Sequence, residues 1–145
     1  MTTPYKKNPA DSASPIETYR KTDMLTANKE TILLMMYAGA VRFLKRAKEQ
    51  HEKGDNAERN RWLLRVQEIV TELRSTLNFE LGGEIAQKLN GLYAYATRKL
   101  NEAMLENKLE AIVEVTEILS TLNEGWEQAA EAQKKERSKI TEAAK

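Results

Sequence analysis

Few residues in this chain are of the types and at the spacings that could do chemistry. The chain has a single histidine, His51. A ferritin-like Glu-x-x-His motif would need a glutamate three residues before it, but Lys48 occupies that position. Gly82 and Gly83 precede a predicted helix and could offer backbone amides to an anion, but no P-loop lysine follows them. We interpret His51 as a surface residue or a favourable charge near a helix C-terminus, and the glycines as a turn between helices. We therefore expect no catalytic, cofactor or metal site, and a protein that is not an enzyme.

Composition argues against several classes of partner. The 145 residues carry a formal net charge of +1 with 31% charged residues, so no long-range field favours nucleic acid or an anionic membrane. There is no cysteine, and no apolar run reaches the roughly 20 residues that cross a bilayer. The polar N-terminus lacks the apolar stretch of a signal peptide. We expect a cytoplasmic protein with no nucleic-acid partner and no membrane insertion.

Apolar spacing and capping residues predict four helices. The first is expected from Asn28 to about Lys53, where Gly54 ends it. The second is expected to begin at Asp55, which has Glu58 at capping-box spacing.

After the glycine pair, a third helix is expected to begin at Glu84 and to end at Asn107, which is also placed to cap a fourth. Tyr37, Tyr93 and Tyr95 are displaced from the innermost lines, where their rings could lie on the bundle surface. The core faces expected on helices two, three and four are Leu63, Val66, Val70, Leu73 and Leu77; Ile85, Leu89, Leu92, Ala96 and Leu100; and Ile112, Val115, Leu119, Leu122, Trp126 and Ala129.

Four helices of roughly 25 residues with short connections favour an all-α, antiparallel, up-down-up-down four-helix bundle. Residues 1–27 are predicted to form a flexible N-terminal segment, because their polar and proline-rich sequence buries too little to order it. Residues 28–132 are predicted to form the bundle domain. Residues 133–145 form a charged tail that either frays or continues as a solvated helix.

The first helix has no polar face for about three turns, since no charge occurs between residue 32 and Arg42. A helix that is apolar all round must be covered on more than one side, by a chain terminus, a second subunit or a client polypeptide. Met35 and Met36 point about 100° apart, so one should line a second apolar surface that adapts to a guest. The apolar residues of the N-terminal segment, which we expect to act as a removable lid, are Ile16, Tyr19, Met24 and Leu25.

A set of short segments occurs in a characteristic order along residues 16–130. They are Tyr19, Thr26-Ala27, residues 33–44 with Tyr37-Ala38-Gly39-Ala40, Gly82-Gly83-Glu84-Ile85-Ala86, Leu89, Leu92-Tyr93-Ala94-Tyr95 and Trp126. In order and spacing these segments resemble the FliS family of flagellar secretion chaperones. The chain departs from the family pattern at Ala38 and Ala94, where an acidic residue is common.

The resemblance implies a cytosolic chaperone that binds the C-terminal segment of flagellin, prevents premature polymerisation and delivers flagellin to the flagellar type III secretion gate. An apolar groove suits the amphipathic ends of flagellin and needs no catalytic residue. The resemblance also implies docking at an export-gate protein through Ile16 and Tyr19, and it leaves a co-chaperone open as a further partner. The predicted groove residues are Ile32, Met35, Met36, Tyr37, Ala40, Leu89, Tyr93, Ala96 and Leu100.

The alternative is a structural helical-bundle protein that self-associates through an exposed apolar face. On the groove hypothesis, Met36→Asp or Tyr93→Asp should weaken client binding more than it weakens the fold.

Overall fold

The computed structural model describes residues 29–143. It contains four α-helices, α1 (Lys29–Glu52), α2 (Asn56–Ser75), α3 (Phe79–Glu106) and α4 (Leu109–Ala143). Each helix packs against its neighbours in the chain and α4 returns to α1, so the helices form a closed ring. The connections are so short that consecutive helices must run antiparallel. The predicted all-α, up-down-up-down four-helix bundle is confirmed.

Capping residues set several helix ends as predicted. The side chain of Asp55 accepts a hydrogen bond from the backbone N–H of Glu58 at 3.0 Å and so caps α2. Gly54, with φ of +78°, follows the end of α1, and Asn107 ends α3 in the left-handed conformation. The predicted limits of the first helix agree with α1, except that Asn28 lies outside the described residues.

The predicted start of the third helix at Glu84 agrees with the longer part of α3, but the sequence analysis missed a helical turn before the glycine pair. α3 begins at Phe79 rather than at Glu84, because the side chain of Asn78 accepts a hydrogen bond from Leu81 N–H at 3.0 Å and caps a helical turn. The glycine pair still interrupts the helix, since Gly83 has φ of +50° and ψ of −124° and introduces a kink. The first turn of α3 therefore precedes the kink and the longer part follows it.

The predicted core face of the third helix is wrong at two positions. Ile85 is 67% exposed and Leu92 is 37% exposed, so both lie on the outer side of α3. Tyr93, which we placed on the flank, is buried instead. The residues that α3 buries are Ala86, Leu89, Tyr93, Ala96, Leu100 and Ala103. Leu89, Ala96 and Leu100 are thus buried as predicted, and only Ile85 and Leu92 give way to the next residue in the chain.

The other core faces agree more closely with the sequence. Leu63, Val66, Val70 and Leu73 of α2 are buried, as are the first three predicted residues of α4, namely Ile112, Val115 and Leu119. Leu77, Leu122 and Trp126 pack against the core but remain partly exposed. Ala129 is exposed, which contradicts its predicted place in the core. At this level of α4 the partly buried position is Ala130, which lines a crevice with the start of α1.

The charged tail continues as an exposed helix within α4 as far as Ala143, which is one of the two predicted alternatives. One ion pair ties this extension back to the bundle, between Arg137 and Glu30 at 3.7 Å.

Arg59 is fully buried at the opposite end of the bundle from the glycine pair. Its guanidinium donates to Oδ1 of Asn60 at 2.9 Å, Nδ1 of His51 and Oδ1 of Asn56 at 3.1 Å, and Oδ1 of Asn107 at 2.8 Å. Burial lowers the pKa of Arg59. Arg59 thereby joins the end of α1, the start of α2 and the connection between α3 and α4.

This network corrects two sequence interpretations. A guanidinium can only donate, so Nδ1 of His51 accepts, and the histidine is part of this network rather than an isolated surface residue. The side chain of Asn107 accepts from Arg59 and is engaged there rather than in capping α4. Neither role was visible in the sequence, because the partners are brought together only by the packing of the helix ends.

Candidate binding groove

An apolar pocket opens at the end of the bundle where α2 ends and α3 begins. It has a volume of about 340 Å³, and its walls come from all four helices and from the α2–α3 connection. The lining residues are Leu33, Leu73, Thr76, Leu77, Asn78, Leu81, Gly82, Ile85, Ala86, Leu89, Tyr93 and Trp126. Because most of them are aliphatic or aromatic, the pocket suits an apolar side chain of a partner.

The kink at Gly83 shapes the outer edge of this pocket. Leu81, on the turn before the kink, is 88% exposed, and Ile85, on the turn after it, is 67% exposed. The φ of +50° at Gly83 is costly for residues with a side chain. The glycine therefore allows two large apolar side chains to stand at the rim of the pocket rather than inside the core.

A second apolar depression lies farther along α3 and α4. It has a volume of about 290 Å³ and is lined by Leu92, Glu117, Ile118, Thr121 and Leu122. The pocket and this depression together are called the α3/α4 groove below.

Helix periodicity aligns the two parts of the α3/α4 groove. Ile85 and Leu92 of α3 are seven residues apart and share one face of the helix. On α4, Ile118, Leu122 and Trp126 are spaced by four residues and form a parallel apolar row about 12 Å long. A groove of this kind has the form that receives an amphipathic helix or an extended apolar segment.

Two buried tyrosines support the floor of the groove. The hydroxyl groups of Tyr37 on α1 and Tyr93 on α3 are hydrogen bonded to each other across the core. Burial raises the pKa of both side chains, so both are neutral at ordinary pH. The Nε1–H of Trp126 is also buried, and it has no hydrogen-bond partner within residues 29–143. It lies near the Tyr37 side chain and partly offsets the rise in the pKa of Tyr37.

The tyrosine positions left open by the sequence are thereby assigned. Tyr37 and Tyr93 are core residues and not surface rings with hydroxyl groups in water. Tyr95 is partly buried on the α3/α4 side, where its hydroxyl donates to the carboxylate of Glu114.

Eight of the nine predicted groove residues belong to the buried core. Leu89 and Tyr93 reach the floor of the pocket, and Met35 is the exception, with 56% exposure. The other six predicted groove residues that are buried with them are Ile32, Met36, Tyr37, Ala40, Ala96 and Leu100. α1 lies between α2 and α4, so two of its sides are covered and less of its apolar surface is open than its sequence predicts. Contact between the nine predicted groove residues and a client stays a prediction.

Sequence reasoning missed most of the open groove. Leu81 received no role, and Ile85, Leu92, Leu122 and Trp126 were assigned to the core. The separation of seven residues between Ile85 and Leu92 was a usable signal, because it places both on one face of α3 whichever way that face points. The prediction that Met35 and Met36 face different surfaces is confirmed, since Met36 is buried.

A crevice between the start of α1 and the last turns of α4 differs in chemistry from the groove. Five of its nine lining residues are charged, namely Glu30, Glu127, Glu131, Lys134 and Arg137. Glu30 and Arg137 already pair with each other across it. About half of its lining surface is polar, whereas the groove is mainly apolar, so the crevice is a separate feature.

The described residues contain no group of three histidine, cysteine, aspartate or glutamate side chains placed to hold a metal ion. Within residues 29–143, no helix combines the length and apolarity required for a membrane span. The N-terminal residues Ile16, Tyr19, Met24 and Leu25, predicted as a lid, lie outside the described part of the chain.

Comparison with known proteins gives consistent matches. The family model described as "Flagellar protein FliS" matches residues 12–133. The flagellar secretion chaperone FliS of Bacillus subtilis is 28% identical over 124 residues, which are 86% of this chain and 92% of that protein. The FliS chaperone of Salmonella typhimurium is 34% identical over 122 residues, which are 81% of this chain and 90% of the Salmonella protein. That of Campylobacter jejuni is 37% identical over 97 residues, 67% and 76% of the respective chains.

A solved structure supports the fold. The crystal structure of a bacterial flagellar chaperone superposes with a TM-score of 0.69 at 17% sequence identity, over 82% of this chain and 99% of the other.

Proposed function

The chain belongs to the FliS family of flagellar proteins, and from this premise we propose that it is a flagellar secretion chaperone. In this proposal it binds the C-terminal segment of flagellin in the cytoplasm, keeps flagellin from polymerising early and delivers it to the type III secretion gate. The protein acts by binding alone and is not an enzyme. It neither binds nucleic acid nor inserts into a membrane.

The observation that carries the client-binding part of this proposal is the open α3/α4 groove. Leu81 and Ile85 leave most of their surface in water, and the neighbouring rows on α3 and α4 extend the apolar area. A soluble monomer rarely leaves such a contiguous patch open unless a partner covers it. An amphipathic segment can bury its apolar face there while its polar face stays in water.

The predicted groove residues differ in how accessible they are to a client. Leu89 and Tyr93 form the floor that a client side chain would touch, whereas Met35 is open on α1. The remaining six would contact flagellin only if the helices separated on binding. The lid and the docking of the export-gate protein through Ile16 and Tyr19 are part of the proposal on the resemblance alone, as is a co-chaperone.

Mixing the purified protein with monomeric flagellin tests the proposal. Size-exclusion chromatography with light scattering should give a complex of one chaperone and one flagellin. A protein that forms homodimers to the same extent with and without flagellin, and no mixed complex, would instead be the self-associating bundle of the alternative hypothesis.

Ile85→Asp should weaken flagellin binding by about tenfold to a hundredfold, because it places a charge where the client buries apolar surface. The folded state should be little affected, since Ile85 is 67% exposed. Titration calorimetry with purified flagellin measures the affinity, and thermal unfolding checks the fold.

Leu105→Asp is the matched control for this change. Leu105 lies on the same helix and is 84% exposed, but it is outside the groove lining. Its variant should bind flagellin within about twofold of the unchanged protein. Equal affinities for the two variants would remove the α3/α4 groove from the proposal.

A further inference from the structure

An arginine-aromatic patch lies on the outer side of α1 and α2. The rings of Phe43 and Trp62 are 5.3 Å apart between centroids. Arg65 lies over both rings, at 6.0 Å from the first and 5.1 Å from the second. Arg42 lies 5.7 Å from the Phe43 ring, and Arg46 lies 5.3 Å from the Trp62 ring. Three guanidinium groups thus converge on two adjacent aromatic rings.

None of these three guanidinium groups has a carboxylate within 4.0 Å among residues 29–143. The arginine next to them behaves differently, since Arg61 pairs with Glu58 at 3.2 Å. The patch therefore holds positive charge that the described part of the fold does not neutralise.

The rings hold this charge in a form suited to a carboxylate. A guanidinium over an aromatic ring gains cation–π attraction, which restricts the otherwise flexible side chain. Its planar N–H donors stay available for bidentate hydrogen bonds with a carboxylate. Binding a partner here therefore costs less arginine side-chain entropy than binding it to freely moving arginines would.

We propose that the arginine-aromatic patch docks an acidic segment of a partner protein. Arginine together with tryptophan and phenylalanine is the composition of protein–protein contact centres. Nucleic acid fits less well, because its binding depends on many phosphate contacts over a broadly basic surface, whereas this chain has a net charge of only +1.

The position of the patch makes this a second docking surface, beyond the proposed flagellin site. In the ring of helices the α1–α2 side lies opposite the α3–α4 side. A partner on the arginine-aromatic patch therefore leaves the side carrying the α3/α4 groove free, and both surfaces can be occupied together. The inference does not depend on which client the groove receives.

Fluorescence anisotropy with a labelled peptide of alternating glutamate and glycine tests the proposal on the full chain. Binding should be saturable and should weaken as salt rises, because the contacts are between exposed charges. The triple change Arg42→Gln, Arg46→Gln and Arg65→Gln should weaken it by about tenfold or more. The affinity of the corresponding triple lysine variant should lie between those of the unchanged protein and the triple glutamine variant, since lysine keeps the charge but loses the planar donors.

Arg98→Gln is the matched control, because Arg98 lies 5.6 Å over the Tyr95 ring on α3, away from the patch. It should leave peptide binding within about twofold, and all variants should bind flagellin as the unchanged protein does. The proposal is overturned if the peptide does not bind, if the triple glutamine variant binds it as tightly as the Arg98→Gln control, or if a single-stranded oligonucleotide of equal charge binds the patch as well as the peptide does. Failure of flagellin binding alone would count against the groove and not against the patch.

Discussion

Tyr93→Asp is expected to lower the free energy of unfolding by at least about 4 kcal/mol. Tyr93 is 2% exposed and fills the centre of the bundle between α1 and α3, so the aspartate would bring an unpaired charge into the core. It would also leave a cavity and remove the hydroxyl partner of Tyr37. Since domains of this kind are stable by only about 5–15 kcal/mol, a large fraction of the variant should be unfolded or easily unfolded. Urea denaturation followed by circular dichroism measures the change.

Tyr93→Phe is the control that separates the hydroxyl from the ring. It keeps the packing and should cost only about 1–2 kcal/mol, chiefly by leaving the Tyr37 hydroxyl without its partner. Our sequence-based expectation for Tyr93→Asp was that it weakens client binding more than it weakens the fold. If the aspartate variant unfolded at the same urea concentration as the unchanged protein but lost flagellin affinity, Tyr93 would be an accessible groove residue and its place in the core would be wrong.

Arg59→Ala is expected to destabilise the bundle by about 2–4 kcal/mol. The side chain is fully buried and its guanidinium donates to four acceptors, three of them asparagine Oδ1 atoms and one the Nδ1 of His51. Alanine would leave several of these acceptors without a donor and would open a cavity at the meeting point of three chain segments. Urea denaturation again gives the difference.

Arg61→Ala is the matched control for this position. It lies two residues away on the same helix, its side chain is 70% exposed, and its one ion pair is with Glu58. Exposed pairs of this kind contribute at most about 1 kcal/mol. Similar unfolding midpoints for the two alanine variants would contradict the stabilising role assigned to the buried network.

The sequence was sufficient for the number, order and direction of the helices. Local signals decide those features, such as the Asp55 cap and the glycine after α1, and they act within a few residues of where they are read. The first turn of α3 was missed because Asn78, which caps it, lies before the glycine pair that we took as the helix boundary.

The rotation of α3 could not be decided from apolar spacing alone. Apolar or aromatic residues occur at 85 and 92 and also at 86 and 93, so the apolar stripe is wider than the face that the other helices cover. The hydrogen bond between Tyr93 and Tyr37 favours the rotation that buries the tyrosine. That rotation turns Ile85 and Leu92 outward and creates the α3/α4 groove.

The same limitation explains the misplaced groove residues. An apolar helix such as α1 signals that it needs cover, but its sequence does not say that α2 and α4 provide most of it. The buried role of Arg59 was equally hidden, because two of its four acceptors lie eight residues before it and 48 residues after it in the chain. Such contacts exist only after the helix ends have met.

Hydrogen exchange of the full chain, free and with purified monomeric flagellin, tests the central claim most directly. The account predicts slower exchange in the complex for the backbone amides of residues 84–92 and 118–126, which carry the two apolar rows of the α3/α4 groove. Amides of the α1–α2 side around Phe43 and Trp62 should exchange as in the free protein. Unchanged exchange along α3 and α4, with new protection on the α1–α2 side, would contradict it.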